Sequence, residues 1–268
     1  MLGAPSYAPL VEALECDFNG ASILLVDASA ETCPNLRSVS FRSFAPAYLG
    51  GVAAVSDPSL APTGRVAMIG GAETPPVREL LDGFRAGVEA TGGEVVGELF
   101  VSEDPAEGFS SPDAAAALAG GLFGTVDVIF VAAGRSSEGV GELLEERARR
   151  APPGADRVWF VDSDANEILL YGEVTIANVI ERIDVVVRDA ILEMIAGDLT
   201  SGDVVVGFRD HLTELLLHPR RGPRVLEGAC DDCDVFVPSC YRECTTLENV
   251  VTRAESAAAE AARTWRSR

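Results

Sequence analysis

The strongest restriction on the fold is an alternation: short apolar runs, each closed by a glycine or a polar residue, with stretches of helical periodicity between them. The runs are Ser22–Asp27, Ser38–Arg42, Arg65–Ile69, Glu94–Val101, Val126–Val131, Arg157–Val161 and Val204–Phe208. Several are unbroken Val/Ile/Leu sequences, the pattern of strands covered on both faces in a parallel sheet. Between them, Val77, Leu80, Leu81, Phe84 and Val88 share one face of a helix over Val77–Ala90. A second helix is predicted over Ala177–Ala196, with Ile180, Ile183, Val187, Ile191 and Met194 at helical spacing and Gly197 as C-terminal cap. Ser111-Pro112-Asp113 opens a third, with Ser as N-cap and Pro in the first turn. Strands and helices in alternation mean an α/β architecture with right-handed crossovers. At 268 residues the chain has room for two medium lobes or one large domain. The proline-bearing stretch "SDPSLAPTG" (56–64) is predicted to cross between lobes.

The stretch "GRVAMIGGAETPPVREL", from residue 64, raises the question of chemistry, because a strand running into glycines before a helix is where a phosphate loop sits. The turn lacks the G-x-G-x-x-G spacing, Glu73 would repel a pyrophosphate, and G-x-x-x-x-G-K-[ST] occurs nowhere in the chain. Gly70-Gly71 instead marks backbone that passes close to something, a ligand or another lobe. No G-x-S-x-G elbow is present. His211 and His218 match neither an i,i+4 helical metal pair nor a cluster with nearby Cys, and read as surface or structural residues. The expectation is a protein that is not an enzyme and needs no cofactor.

Four of the six cysteines, Cys230, Cys233, Cys240 and Cys244, are spaced C-x2-C-x6-C-x3-C. Four thiolates can hold a structural zinc, although the common metal pattern separates two tight pairs by a longer gap. Disulfides pinning a loop in an oxidising compartment are the other reading, with Cys16 and Cys33, which flank the run "SILLVD", as a third bridge. Free thiols complete the alternatives. A formal charge of −21 disfavours nucleic acid and anionic membrane surfaces as partners. No run of about 18 apolar residues is present to span a membrane, and "MLGAPSYAPL" has neither the basic start nor the apolar core of a signal peptide. The expected location is extracytoplasmic, in the periplasm or at the cell surface through a lipid anchor, if the true start lies upstream, and cytoplasmic otherwise. The Ala-rich end "AESAAAEAARTWRSR" is predicted as an exposed helix.

Several stretches then follow the order of one family: "SVSFRSFAPAYLGGVAA" (38–54), "GRVAMIGGAETPPVRELLDGFRAGVEA", "VDVIFVAAGRSSEGV", "VWFVDSDANE" and "NVIERIDVVVRDAILEMIAGDLTSG". Together, over about residues 20–215, the chain resembles the basic membrane protein (PnrA-like) family of ABC-transporter substrate-binding proteins. The resemblance implies a type I periplasmic-binding-protein fold, two lobes with parallel sheets that close on a small polar ligand and deliver it to an ABC permease. In better-known members the ligand is a purine nucleoside. It implies a first lobe of 1–62 plus 174–219, a second lobe of 63–173, and a Cys-rich loop and C-terminal helix in 220–268 without family counterpart. On that template Gly70-Gly71 is a cleft wall at a strand's carboxyl end.

The resemblance also assigns residues. Asp162 matches the carboxylate that accepts from ribose hydroxyls, a suitable partner for a diol because it is a charged acceptor; the plain alternative is an Asp capping the next turn. Gly134, Ser136 and Ser137 match a loop that approaches the sugar, and Asp27 ends its strand as a cleft carboxylate. Where the family carries a ligand-contacting Lys, this chain has Glu181, which opens the site to a more cationic ligand. The family's first strand and helix have no counterpart in 1–20, so the first lobe is expected to be incomplete at its N-terminus. The alternative to a transport receptor is an intracellular or degenerate ligand-sensing or interaction domain that kept the fold.

Overall fold

The computed structural model describes residues 2–3, 11, 21–27, 34–152, 155, 157–163 and 167–218. All six cysteines, with the metal and disulfide readings that rest on them, lie outside the described residues, as does the Ala-rich end. The chain forms two compact units, one from the residues up to Ser43 with Glu181–Glu214, the other from Phe44–Ile180 with the chain from Leu215.

The smaller unit holds a parallel sheet of β1 (Leu2–Gly3), β2 (Ile23–Val26), β3 (Leu36–Arg42) and β9 (Gly202–Gly207), in that order. The sequence had suggested no strand before Ser22; β1 pairs with β2. One face is formed by Leu24, Val26, Val39 and Phe41, which pack on Val186 and Ala190 of a helix, Ile183–Ala196. That helix ends as predicted, with Gly197 in the left-handed conformation (φ 77) closing its last turn.

The larger unit is a six-stranded sheet of β4 (Arg65–Gly70), β5 (Glu94–Phe100), β6 (Val128–Ala132), β7 (Trp159–Ser163), β8 (Thr175–Glu181) and β10 (Thr213–Leu217), in the order β10-β8-β7-β6-β4-β5. The five strands from β8 to β5 run parallel. β10 is an antiparallel edge, since Arg182 N donates to Leu212 O and His218 N to Ile176 O, both at 2.8 Å, so numbers rise on one strand as they fall on the other. The helices are α1 (Phe44–Val55), α2 (Pro75–Ala90), α3 (Pro112–Gly121) and α4 (Ser137–Arg150), with α5 the Ile183–Ala196 helix of the smaller unit.

The unbroken apolar runs are explained by cover on both faces. Along β6, Val128, Phe130 and Ala132 enter one core, under Phe84 and Leu81 of α2, while Ile129, Val131 and Ala133 enter the other, with Ala115 and Ala119 of α3 and Val140 and Leu144 of α4. Phe84 and Phe130 stack with centroids 4.3 Å apart and planes within 7°, and both are fully buried.

Two expectations are corrected. Residues from Ala177 onward do not begin a helix: Thr175–Glu181 is β8, buried through Val179 and paired on both sides, and the helix starts at Ile183. Ile180 shares the helical spacing by coincidence, and a β-branched run with strands on either side is extended. Nor does the chain pass between units at 56–64. That stretch joins α1 to β4 within the larger unit, with Ala61 buried in its core and Asp127 Oδ2 accepting from Thr63 N (2.8 Å) and Thr63 Oγ1 (2.7 Å). The unit boundary falls at Ser43/Phe44 because α1 packs on α2 rather than on the smaller unit's sheet.

The α1–α2 contact is backbone to backbone. A Cβ on Gly87 would lie 2.0 Å from Tyr48 O, and one on Gly51 would lie 2.1 Å from Phe84 O. Alanine gains about 1 kcal/mol as a helix former, but overpacking against rigid backbone costs more. Gly87→Ala is expected to destabilise the chain by about 2 kcal/mol, read as a lower urea midpoint at constant slope. An unchanged midpoint would mean that the helices slide apart freely.

Candidate functional site

Because β5 and β6 lie on opposite sides of β4, the strand order reverses there, and open parallel sheets keep their ligand crevice at the carboxyl ends beside such a point. The residues at this place are Gly70-Gly71 after β4 and Ala133-Gly134 after β6. Gly71 N donates to Ala132 O (2.9 Å) and Gly71 O accepts from Ser102 N (3.1 Å), so the turn is part of the sheet. A Cβ on Gly71 would stand 2.5 Å from the Phe109 ring, and one on Gly70 would stand 2.6 Å from that of Phe100. The close neighbours of the glycine pair within the unit are therefore its own aromatic side chains. Phe109 follows the single helical turn Pro105–Gly108, reaches to within 3.5 Å of a Cβ position on Gly134, and is half-buried.

Ser136 holds that loop in place. Its buried hydroxyl accepts from Ser111 N and donates to Gly108 O, both at 2.8 Å. Ser137, the first residue of α4, places its hydroxyl 2.5 Å from Gly134 O and 3.5 Å from Asp162 Oδ2. With one proton to donate, the hydroxyl favours the nearer carbonyl.

Asp162 is fully buried and lies within β7, paired in register with Val131 of β6 and Asn178 of β8. The amino end of α4 approaches it through Ser137, and the positive end of that helix dipole offsets the buried charge. Asn178 is also fully buried and accepts from Ile168 N at 3.2 Å. Ser163, next along β7 and therefore facing the opposite side of the sheet, is 1% exposed, and its hydroxyl has no hydrogen-bond partner among the described residues.

In the smaller unit, Asp27 follows β2 in the left-handed conformation (φ 58), half-buried, with its N–H donated to Val39 O at 2.9 Å. Glu181 accepts from the buried Ser43 hydroxyl at 2.5 Å. The cation beside it is committed elsewhere: Arg182 grips Asp184 through Nε and Nη2, 2.9 Å each, and lies 3.7 Å from Glu214. That hydrogen-bonded grip holds the Asp184 carboxyl below its usual range.

The larger unit thus gathers Gly134, Ser136, Ser137 and Asp162, while Asp27 and Glu181 belong to the smaller one. Sequence reasoning missed Phe109, Ser163 and Asn178. An aromatic in the turn-rich "DPAEGFSSPD" was a signal for the first; the others needed the register of β7 and β8. His218 is buried at the end of β10, and His211 takes a left-handed turn position. No group of three or more His, Cys, Asp or Glu placed to hold a metal ion occurs among the described residues.

The two bonds of Ser136 give it a structural task. Ser136→Ala leaves a buried N–H and a carbonyl without their partner and is expected to lower stability by about 2 kcal/mol, measured by denaturant unfolding. A change within about 0.5 kcal/mol would show that the loop closes without it.

Comparison with known proteins bears on the same region. A family described as "ABC transporter substrate-binding protein PnrA-like" matches residues 7–216. The CD4+ T-cell-stimulating antigen of Listeria monocytogenes is 29% identical over 187 residues, which are 66% of this chain and 50% of that protein, so the chain spans half the length of this relative. A solute-binding protein of an ABC transporter system from Aeropyrum pernix K1 superposes with a TM-score of 0.68 at 22% identity, over 93% of this chain and 68% of that one. A transcriptional activator of the comK gene from Bacillus halodurans gives 0.65 at 16%, over 90% and 77%. At such identities these structures show a shared periplasmic-binding-protein-like fold and no more. The family match, which covers most of the chain and all of the strand tips described above, decides the lineage: this chain belongs to the PnrA-like family of ABC transporter substrate-binding proteins.

Proposed function

We propose that the chain is a non-catalytic solute receptor that binds a small, nucleoside-like polar ligand at the strand tips of the larger unit for an extracytoplasmic ABC permease. The observation that carries this reading is the Ser163 hydroxyl, buried at the carboxyl end of β7 without a partner among the described residues. Leaving such a group unsatisfied costs about 1–3 kcal/mol, a cost that a ligand hydroxyl or amino group arriving at the tip would remove. Asp162 and Asn178, paired with each other one residue back along the strands and on the other face of the sheet, add acceptors at the same strand ends. The half-buried Phe109 ring at the switch point offers a flat apolar surface to a planar ring. Family membership supports the class of function. Glu181 supports a ligand, or a ligand substituent, more cationic than the neutral nucleosides of the resemblance.

The test is a thermal-unfolding screen with guanosine, inosine, polyamines and amino acids. A true ligand at about 100 times its Kd adds about 2.7 kcal/mol of stability. Ser163→Ala, which removes a buried hydroxyl with no partner among the described residues, is expected to leave the ligand-free midpoint unchanged or raise it, and to reduce the ligand-induced shift by half or more. A stabilising ligand whose shift survives Ser163→Ala intact overturns the assignment of this tip; no shift with any solute class overturns the receptor reading. If cationic solutes stabilise more than neutral ones, Glu181→Gln is expected to abolish the difference, and a difference that persists removes Glu181 from the site.

A further inference from the structure

At the other end of the larger unit's sheet, the last turn of α4 borders a hollow of about 400 Å³ with Phe123, Leu143, Ala151, Pro152 and Ala155 as its apolar lining. Its charged lining is Glu146, Arg147 and Arg150. Arg150 pairs with Glu146 at 2.5 Å, and Arg149 nearby pairs with Glu145 at 2.6 Å. Arg147 instead lies over the Phe123 ring, 4.4 Å from its centroid, with no carboxylate partner among the described residues. Basic side chains suit a helix carboxyl end. That preference explains the three arginines but not a guanidinium held flat beside an apolar hollow in a chain with 42 acidic and 21 basic residues. The feature fits an occupant that joins carboxylates to an apolar group.

The chain itself carries one. Residues 230–238 read "CDDCDVFVP", three aspartates (Asp231, Asp232 and Asp234) beside Val235-Phe236-Val237. The topology brings this segment within reach. β10 runs against β8, so the chain leaves the described structure at His218 beside Ile176, at the amino end of β8. The amino end of β8 adjoins that of β7, where Phe160 pairs with Thr175, and Pro152 and Ala155 of the hollow lead into β7. Two strand spacings, about 10 Å, separate β10 from β7, whereas the dozen residues from 219 to 230 can extend roughly 40 Å. Tethering supplies an effective concentration in the millimolar range.

We propose that the acidic-aromatic segment 230–238 docks into this hollow of its own chain, with Phe236 over Phe123 and Leu143 and the aspartates against Arg147 and Arg150. The contact lies at the end of the sheet opposite the proposed solute site, so it stands or falls independently of that reading. The nearest competitors in sequence for the aspartates are Arg220, Arg221 and Arg224, which precede the segment, and Arg242, which follows it.

The experiment uses the full chain with a benzoyl-phenylalanine photo-cross-linker in place of Phe236, and mass spectrometry to map the product. The expected product is an intramolecular cross-link to the peptides holding Phe123 or residues 143–155. Arg147→Glu with Arg150→Glu should reduce its yield about tenfold, and adding Asp231→Lys with Asp232→Lys should restore it. The rescue separates this docking from pairing with Arg220, Arg221, Arg224 or Arg242, which the paired reversal would leave repulsive. The exposed positions of Arg147 and Arg150 make misfolding of the variant improbable, and an unchanged thermal midpoint checks it. Cross-links that map elsewhere, or a yield indifferent to both reversals, overturn the proposal. A cross-linked dimer whose yield rises with protein concentration also overturns it, since the occupant would then come from a second copy.

Discussion

The need to cover a parallel sheet on both faces is the constraint on which the larger unit depends. β6 places every one of its five residues in a core, alternately toward α2 and toward α3 and α4. Burying a side chain of the size of Phe130 contributes about 1.5–3 kcal/mol, and here the ring is also stacked on Phe84. The cover on that side is itself held by α1, which approaches α2 closely enough that Gly51 and Gly87 meet carbonyl oxygens of the facing helix. The glycines of two helices thus set how the sheet is sealed, and a sealed sheet leaves its strand ends as the places where polar groups can gather.

At those ends the hydroxyls of Ser136 and Ser137 already have partners within the unit. A nucleophile would need a base within hydrogen-bonding reach and an orienting third group. Ser136 is spent on two backbone groups, and Ser137 is shared between a carbonyl and Asp162. Asp162 is enclosed and faces an amide side chain across the register. What these groups supply is fixed hydrogen-bonding capacity in an enclosed place, the means by which small-molecule sites select a polar ligand. The fold alone would not distinguish this, because solute-binding proteins and a transcriptional activator share it.

Much of this was legible in the sequence because the strands of a parallel sheet are unusually explicit. The runs around Ile69, Val131 and Phe160 mark strands to within a few residues, and Gly197 marks a helix end. What failed were inferences that needed a partner in space. Thr175–Glu181 has helical spacing at Ile180 yet is extended, because β7 and β10 take both of its edges. The prolines at 56–64 looked like a passage between lobes, but Asp127, distant in sequence, ties Thr63 down within one unit. The glycine pair at 70–71 was correctly read as a close approach, but nothing local identifies Phe100 and Phe109 as its neighbours. The family resemblance pointed to Asp162 but gave no hint that Ser163, one residue on, would be a buried hydroxyl without a partner among the described residues, as Ser38 is in the smaller unit.

A parallel sheet also sorts charge between its two ends. Each helix of a β–α unit begins near the carboxyl end of one strand and finishes near the amino end of the next, so positive helix ends collect at the strand tips and negative ones at the opposite edge. α4 obeys this along its own length: Glu138 stands in its first turn, where Ser137 reaches the buried Asp162, and Arg147, Arg149 and Arg150 stand in its last. The helix start offsets a carboxylate that a sealed sheet would otherwise expel, and the helix end gathers cations that an acidic chain otherwise spreads thinly. The buried Asp162 and the arginines beside the hollow therefore stand at the two ends of one helix dipole. Either can change by substitution at its own end while the packed middle of the helix, Val140 and Leu144, stays fixed in the core.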